Sequence, residues 1–323
     1  MADIKQDILI DLSKVKTHLS KVESNKALLT PEQLDKFHLY SGHSQMMSGL
    51  YDDALNSFDK ILATSQDNNY QARAKVLKGV VQASQGQYID AFVNIEAANG
   101  MLSELSDNLA RKDVLVNIVN VYVSTGLIDK AYPYSKHLLK VIIPEQDPKD
   151  YCFAYYNAGK IELLMEKYDV ARHNFSIAKK NCQLAEQKLY QYYLVEESAR
   201  ISLHDNDPNT AYNLVKNKLK DIETFGWDML ISSFHITLSE MALEKKAVEE
   251  SVGLGEKGYK LAKKLNYLPL IKESARVLAK AYSQRENEKK AVEYYQEYID
   301  AERKFKIQMR QRKLAYYMAK NQG

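Results

Sequence analysis

The sequence predicts an all-α protein made of repeated helical pairs. Only 12 of its 323 residues are glycine and 6 are proline, roughly half or less of the usual share of these turn-forming residues. A chain with so few helix breakers favours long helices. Hydrophobic residues make up 45% and charged residues 27%, which is close to the averages for globular domains and unlike a disordered chain.

A small residue recurs at a fixed spacing and defines the repeat. The series consists of Ala54, Ala91, Ala131, Ala171, Ala211, Ser251 and Ala291, with a first step of 37 residues followed by steps of 40. A second series of mostly small residues lies in the preceding helix of each pair, at Gly79, Val119, Gly159, Ala199, Ser239 and Ala279. Helices cross closely where the facing side chains are small, so the two series predict the contact between helix A and helix B of each hairpin.

Local signals mark where helices begin. Thr30-Pro31-Glu32-Gln33 matches a capping box with proline at the first helical position. The pairs Asp147-Pro148 and Asp207-Pro208 show the same order of cap and proline. Further upstream, apolar residues at helical spacing predict an amphipathic N-terminal helix, and they are Ile4, Ile8, Leu12, Val15, Leu19 and Val22.

Two segments carry the same residue pattern, Gly49-x-Tyr51-x2-Ala54-x3-Phe58 and Gly86-x-Tyr88-x2-Ala91-x3-Ile95. With the repeated small residues, this pattern resembles the tetratricopeptide repeat (TPR) family over about residues 35–305. The resemblance implies a right-handed α-α superhelix, or solenoid, of about seven hairpins. Its helices should be extended, because the spacing here is 40 residues and the family unit is about 34. It also implies that aromatic residues fill the groove beside the next hairpin, at Phe58, Phe175 and Tyr295.

The predicted organisation has three parts. An N-terminal capping helix occupies 1–28, the TPR-like solenoid 29–305 and a C-terminal connector helix 306–323. No proline or glycine occurs from residue 289 to 319, so we expect one continuous helix from about Lys289 to at least Arg312, projecting beyond the repeats. A helix folded back as a polar cap is the alternative.

No residue pattern predicts catalysis, a cofactor or a metal site. The seven histidines include no pair at i, i+4 spacing and no H-E-x-x-H motif. Gly253-Leu254-Gly255-Glu256-Lys257-Gly258 matches the dinucleotide fingerprint, which binds nucleotide only between a strand and a helix. Its flanks look helical, so we assign these glycines to helix packing. We expect a non-catalytic chain with no cofactor and no metal.

The two cysteines, Cys152 and Cys182, should lie near adjoining ends of two antiparallel helices. They could form a disulfide or remain two buried thiols. Helix axes about 8–10 Å apart often leave Cα atoms beyond the roughly 7 Å limit for a disulfide. Two buried thiols are therefore favoured.

The inner face of the A helices is the expected binding surface. One column on the 40-residue spacing reads Val80, Asn120, Lys160, Arg200, Glu240 and Lys280, and its neighbour reads Val76, Val116, Tyr156, Glu196, Ile236 and Arg276. Buried columns would be apolar throughout, so the polar members should face solvent or a ligand. The predicted site on the concave face consists of Asn120, Tyr156, Lys160, Glu196, Arg200 and Glu240. The alternative is a solvated face with internal ion pairs.

The ligand of such a site follows from its cations. If Lys160 and Arg200 line it, the bound species should carry a carboxylate or another anionic group. We therefore expect a peptide, a protein or a small anionic ligand on the concave face. A net charge of +3 gives no strong attraction to nucleic acid, so no nucleic-acid partner is expected. A homodimer is compatible with the sequence.

A finer resemblance concerns function. Leu29-Thr30-Pro31-Glu32-Gln33, followed by Gly49-Leu50-Tyr51-Asp52-Asp53-Ala54 and Ala72-Arg73-Ala74, looks like the N-terminal sensor regions of bacterial TPR diguanylate cyclases and related histidine kinases. The resemblance implies a periplasmic sensor module of a membrane-tethered parent, which transmits binding through its C-terminal helix. The alternative is a free-standing cytoplasmic adaptor or peptide-responsive regulator.

Overall fold

The structure is a computed structural model that describes residues 12–142 and 148–322. Within these ranges the chain forms helices and no strand. The α-helices are α1 (Leu12–Glu23), α2 (Pro31–Met47), α3 (Tyr51–Thr64), α4 (Asn68–Ser84), α5 (Tyr88–Gly100), α6 (Asn108–Ser124), α7 (Ile128–Val141), α8 (Pro148–Leu164), α9 (Tyr168–Leu184), α10 (Lys188–His204), α11 (Pro208–Phe225), α12 (Asp228–Glu244), α13 (Val248–Lys264), α14 (Leu268–Gln284) and α15 (Glu288–Lys320). A short 3-10 helix, Lys26–Leu28, follows α1. The predicted all-α class is confirmed.

The chain divides into two compact units. The first contains α1 to α7 and residues 311–320 of α15, and the second contains α8 to α14 and residues 288–310 of α15. Residues 1–11 of the predicted capping helix, which include Ile4 and Ile8, lie outside the described residues. The three-part division at 1–28, 29–305 and 306–323 stays a prediction.

Helices α2 to α15 form seven consecutive A and B pairs. Each residue of the 40-residue series is the fourth residue of a B helix, so the seven positions are equivalent. All seven are buried. In the sixth pair, Ser239 and Ser251 face each other, and each hydroxyl donates a hydrogen bond to the other residue's carbonyl oxygen, at 2.6 and 2.7 Å. The predicted contact between helices A and B therefore lies at the small residues.

Glycines on the A helices make room for aromatic rings of the B helices. A Cβ placed on Gly159 would lie 2.6 Å from the Phe175 ring, and one on Gly42 would lie 2.5 Å from the Phe58 ring. These two rings are buried as expected, although they contact their own hairpin. Tyr295, the third predicted groove residue, is 42% exposed, so the prediction was wrong there. The neighbouring Tyr294 stacks on Tyr282 instead.

The glycine-rich segment at 253–258 lies in the middle of α13. Cβ atoms on Gly255 and Gly258 would come within 2.8 Å of Leu278 and Ser239 and within 2.7 Å of Ile236, respectively. The assignment to helix packing is therefore the one the geometry supports. The segment has no strand before it, which the nucleotide fingerprint requires.

The capping signals hold where they can be checked. Thr30 and Gln33 form the capping box at the start of α2, with N–H to side-chain oxygen distances of 3.0 and 3.3 Å. Asp207 caps α11 by accepting a hydrogen bond from the Thr210 backbone N–H at 3.0 Å. Asp147 lies outside the described residues.

Helix α15 is unbroken over 33 residues, as expected. Its predicted projection beyond the repeats was wrong for residues 311–320, which are packed within the first unit. Ala315, Tyr316 and Ala319 are buried there. Ile307, Leu314 and Met318 of the same helix are exposed.

Replacing Ala171 by Leu should lower the free energy of unfolding by about 1–3 kcal/mol. Ala171 is fully buried at the contact between α8 and α9, and added methylenes overpack such a site. The measurement is a chemical denaturation curve. Ala63→Leu in the exposed last turn of α3 is the control and should be near neutral. Equal stability of the two variants would contradict the role of the repeated small residue.

Candidate functional site

The six predicted site residues are divided between the two units. Asn120 lies on α6 of the first unit, and the other five lie on α8, α10 and α12 of the second unit. Lys160, Glu196 and Arg200 belong to one connected group of charges. Tyr156 and Glu240 flank that group on the neighbouring A helices.

Two adjacent buried glutamates form the centre of the group. Glu196 and Glu197 on α10 are 5% and 3% exposed. Glu197 accepts a hydrogen bond from the Lys160 ammonium of α8. Glu196 accepts hydrogen bonds from the hydroxyls of Ser233 and Thr237 on α12, the latter at 2.8 Å. Because burying a charge costs free energy unless it is paired, these contacts explain how two carboxylates remain inside the fold.

Arg200 is the exposed cation of this group. Its side chain is 49% accessible, with guanidinium nitrogens 3.7 Å from a Glu196 oxygen and 3.9 Å from Glu197 Oε2. These distances are those of ion pairs and exceed hydrogen-bond range. The Glu197 carboxylate raises the pKa of Arg200 further, so the guanidinium stays charged. A half-exposed arginine with unused donors can bind a carboxylate or a peptide carbonyl.

The row of charges continues along the next A helices. Arg276 of α14 contacts Glu240 of α12 at 2.5 Å and Glu273 at 2.9 Å. Lys272 then joins Glu273 to Glu302 of α15 at 3.2 and 3.3 Å. The predicted Glu240 therefore has an internal partner. The alternative of internal ion pairs describes most of this face, and among its paired cations Lys160, Arg200, Lys272 and Arg276 the most accessible is Arg200.

Tyr156 lies beneath the face, in an aromatic cluster. It is 9% exposed, and its ring contacts Phe175, Tyr190 and Tyr193 at centroid distances of 6.2, 5.1 and 5.7 Å. Burial, together with the Glu197 charge, raises the pKa of Tyr156 well above its usual range. Tyr193 also meets Trp227, which is partly exposed at the start of α12. We call the rings of Tyr156, Phe175, Tyr190, Tyr193 and Trp227 the aromatic wall. It borders the row of charged side chains on the A helices.

Cys152 and Cys182 form a disulfide between α8 and α9, with a Cα–Cα distance of 4.7 Å. The favoured prediction of two thiols was wrong. Packed helix axes are about 8–10 Å apart, and each Cα lies about 2.3 Å from its own axis. Two Cα atoms that face each other are therefore closer than the axes by more than 4 Å. The bridge lies in the same core cluster as Tyr156.

Sequence reasoning missed Glu197, Ser233, Thr237 and Glu273. A signal was present in the spacing of the contacts. Lys160 and Glu197 are 37 residues apart, Glu196 and Ser233 are also 37 apart, and Glu240 and Arg276 are 36 apart. Partners on successive A helices are thus offset by about one helical turn from the 40-residue repeat. Reading the columns at 36–37 residues would have paired opposite charges.

A groove of about 1060 Å³ opens on a different side of α10. It is lined by α9, α10 and α11 and includes Lys188, Gln191, Tyr192, Val195 and Phe225. None of the six predicted site residues lines it. Because none of the connected charges on α8, α10 and α12 lines this groove, we centre the candidate site on Arg200.

Among the residues that the structure describes, no three His, Cys, Asp or Glu side chains lie close enough together to hold a metal ion. No helix between residues 12 and 142 or between 148 and 322 combines the length and apolar character of a membrane span.

Comparisons with solved structures identify the fold. A Rap protein complexed with Competence and Sporulation Factor matches 95% of this chain and 97% of its own length, with a TM-score of 0.68 at 11% identity. The apo form of the quorum sensor NprR from B. thuringiensis matches 90% and 82%, with a TM-score of 0.65 at 16% identity. The Rap conjugation gene regulator of plasmid pLS20, in complex with the Phr* peptide, matches 87% and 76%, with a TM-score of 0.61 at 16% identity.

The chain has a TPR-like repeat fold. At these identities the likeness extends to the fold alone. No family model matches the sequence, and no curated protein matches it. The predicted class of helical repeat is confirmed by the similar structures together with the seven helical pairs.

Proposed function

We propose that this chain is a non-catalytic regulator of the TPR type that binds a peptide along the A-helix face of its second unit. The observation that carries the proposal is Arg200, a half-exposed guanidinium that two buried glutamates hold in place through long ion pairs. Its donors remain available for a carboxylate. Two of the similar structures contain a named bound factor, and one of these is a peptide. That likeness supports a peptide as the ligand.

The spacing of the site suggests the size of the ligand. Tyr193 and Arg200 are seven residues apart on α10, which corresponds to about 10 Å along a helix. An extended peptide covers about 3.3 Å per residue, so about three residues reach from the aromatic wall to Arg200. The best ligand would place an aromatic or aliphatic side chain near Tyr193 and Trp227. Its free carboxyl terminus would pair with Arg200.

Arg200→Ala should weaken binding of such a peptide about tenfold or more, because a hydrogen bond to a charged group contributes about 1.5–3 kcal/mol. The probe is a synthetic library of short N-acetylated peptides with free carboxyl termini. The strongest binder is then measured by titration calorimetry. Amidation of its terminus should weaken binding to the wild-type chain and leave binding to Arg200→Ala unchanged.

Arg172→Ala is the matched control. Arg172 has nearly the same exposure, 51%, and pairs with Asp205 at 2.8 Å, but it lies on the B helix α9. Its replacement should leave peptide binding unchanged. The proposal fails if the library yields no binder or if both arginine variants bind the selected peptide as the wild-type chain does.

The second candidate is the sensor region of a periplasmic diguanylate cyclase. The disulfide between Cys152 and Cys182 favours it, because disulfides persist mainly in oxidising compartments. The unbroken α15 also agrees with it, but the last turns of that helix are packed within the first unit. None of the similar structures described above is named as a cyclase. We therefore prefer the free-standing, cytoplasmic regulator, and thiol labelling of the chain inside cells would distinguish the two compartments.

A further inference from the structure

The end of α15 docks on the first unit through one narrow face. We call residues 311–320 the tail segment. Within it Tyr316 is 4% exposed, and the small residues Ala315 and Ala319 lie beside it and are also buried. On the other side of the same turns, Leu314 and Tyr317 are 61% and 47% exposed. The tail segment is therefore an amphipathic helix with a single tyrosine as its anchor.

The surface under the tail segment is formed by α5, α6 and α7, and we call it the tail surface. The Tyr316 ring meets the Phe92 and Tyr122 rings edge-on, at centroid distances of 5.6 and 5.8 Å. The Lys130 ammonium lies 5.6 Å from the Tyr316 centroid. An anchor held by two aromatic edges and a cation has the character of a hot spot in a protein interface.

A second contact orients the tail segment. Arg312, one turn before Tyr316, donates a hydrogen bond to the Ser124 carbonyl oxygen at 3.3 Å. Ser124 is the last residue of α6, where the helix dipole places partial negative charge. The Arg312 guanidinium also lies 5.2 Å from the centroid of the Tyr88 ring. The recognised pattern is an arginine, a tyrosine four residues later and a small residue three residues after that.

We call the stacked rings of Tyr122 and Tyr134 the aromatic platform. The same arrangement occurs a second time in the chain, at a place where no described tail segment covers it. In the tail surface, Tyr122 stacks on Tyr134, and its hydroxyl donates to Glu96. Residues 160 positions later repeat the arrangement in the second unit, where Tyr282 stacks on Tyr294 and donates to Glu256. No tail covers that second platform among the residues described; the Lys290 ammonium lies 4.6 Å from the Tyr282 centroid instead. The platform is thus a property of the repeat.

Two residues distinguish the tail surface from the later copy. The tail segment contacts Tyr88 and Phe92, and the residues 160 positions later are Val248 and Val252. Of these two copies, the one under the tail segment adds two aromatic rings for a helix, and the later copy has valine at both positions. This combination has the character of a ligand site rather than of ordinary repeat packing.

We infer that the tail surface is a helix-binding site and that the tail segment is its built-in occupant. The partner that fits it is a helix of another protein with the same pattern, an arginine one turn before a buried tyrosine and a small residue one turn after it. Such a partner must displace the tail segment, whose effective concentration is high because it is part of the same chain. This inference is independent of the peptide site at Arg200.

Binding of a peptide supplied separately tests this inference in the full-length chain. The probe is a fluorescent peptide of residues 308–323, cross-linked between positions 310 and 314 to keep it helical, because short free helices are marginal in water. Both positions are exposed in the structure. A Tyr316→Ala chain should bind this peptide at least tenfold more tightly than the wild-type chain, since its own tail segment no longer holds the site. Tyr317→Ala, which changes the exposed neighbouring tyrosine, should behave as wild type.

A second variant tests the inference without removing the buried tyrosine, so it is less prone to misfold. Arg312→Ala removes the contacts with Ser124 and Tyr88 and leaves the tyrosine anchor, so it should give a smaller gain in peptide affinity. A peptide with Tyr316→Ala should lose binding to all chains. The inference is overturned if neither chain variant gains affinity for the peptide while circular dichroism shows it folded, because the tail segment would then have a purely structural role. Binding that survives loss of the peptide tyrosine would overturn it equally.

Discussion

Removal of the Cys152–Cys182 disulfide is expected to lower the free energy of unfolding of the second unit by about 3–4 kcal/mol. The two cysteines are 30 residues apart in sequence, and a cross-link that closes a loop of this size restricts the unfolded chain by about that amount. Both side chains are fully buried among Tyr156, Phe175 and Leu194. Alanine is therefore the proper replacement, because a buried serine hydroxyl would add a cost of its own.

The measurement is urea denaturation followed by tryptophan fluorescence, with and without reductant. Trp227 is the only tryptophan. It lies in the second unit, which also contains the disulfide, so its fluorescence reports on the unit that the cross-link should stabilise. The wild-type midpoint should fall on reduction to near that of the Cys152→Ala, Cys182→Ala variant. The midpoint of the double variant should not respond to reductant. If the wild-type midpoint is the same with and without reductant, either the disulfide is absent or it does not stabilise the second unit.

Glu197→Gln is expected to lower the free energy of unfolding by about 2–3 kcal/mol. Loss of one partner from a buried ion pair costs about 3–5 kcal/mol because the other charge stays behind. We expect a loss below that range, about 2–3 kcal/mol, because the remaining Lys160 side chain is 23% accessible and can be partly hydrated. Glu240→Gln is the control. Glu240 is 31% exposed, so its pair with Arg276 should contribute less than about 1 kcal/mol.

A double-mutant cycle separates the pair from other effects. Lys160→Met in the Glu197→Gln background should restore a large part of the lost stability, because replacing both charges of a buried pair is often close to neutral. The expected coupling free energy is at least about 1 kcal/mol. Independent, additive effects of the two substitutions would mean that Glu197 is stabilised mainly by Arg200. In that case the candidate site would depend on a different pair of charges.

The sequence predicted the class of fold through spacing alone. Seven small residues at 37- and 40-residue steps identified the seven B helices, because a close helix crossing tolerates only small side chains. The Thr30 cap and the helical nature of the glycine-rich segment at 253–258 were equally local properties. Each depends on neighbours within one turn or one hairpin, so no knowledge of distant contacts was needed.

The predicted site was less complete because its contacts join successive repeats. Lys160 and Arg200 were found from their column, but their buried partner Glu197 was not, since it lies one turn away from the 40-residue spacing. Tyr156 occupied a polar column and yet lies in an aromatic cluster. The burial of a tyrosine depends on which rings surround it, and the rings around Tyr156 come from two other helices, α9 and α10.

The sequence by itself determined that this chain is an array of helical pairs, because helix propensity, caps and small-residue spacing act over short distances. Only the tertiary structure decided three other points. It placed Cys152 within bonding distance of Cys182, because facing Cα atoms are closer than the helix axes. It showed that Arg200 is the most accessible of the ion-paired cations Lys160, Arg200, Lys272 and Arg276. It also placed Tyr316 against Phe92 and Tyr122, residues more than 190 positions earlier, which no local pattern could indicate because the contact exists only after the repeats have folded.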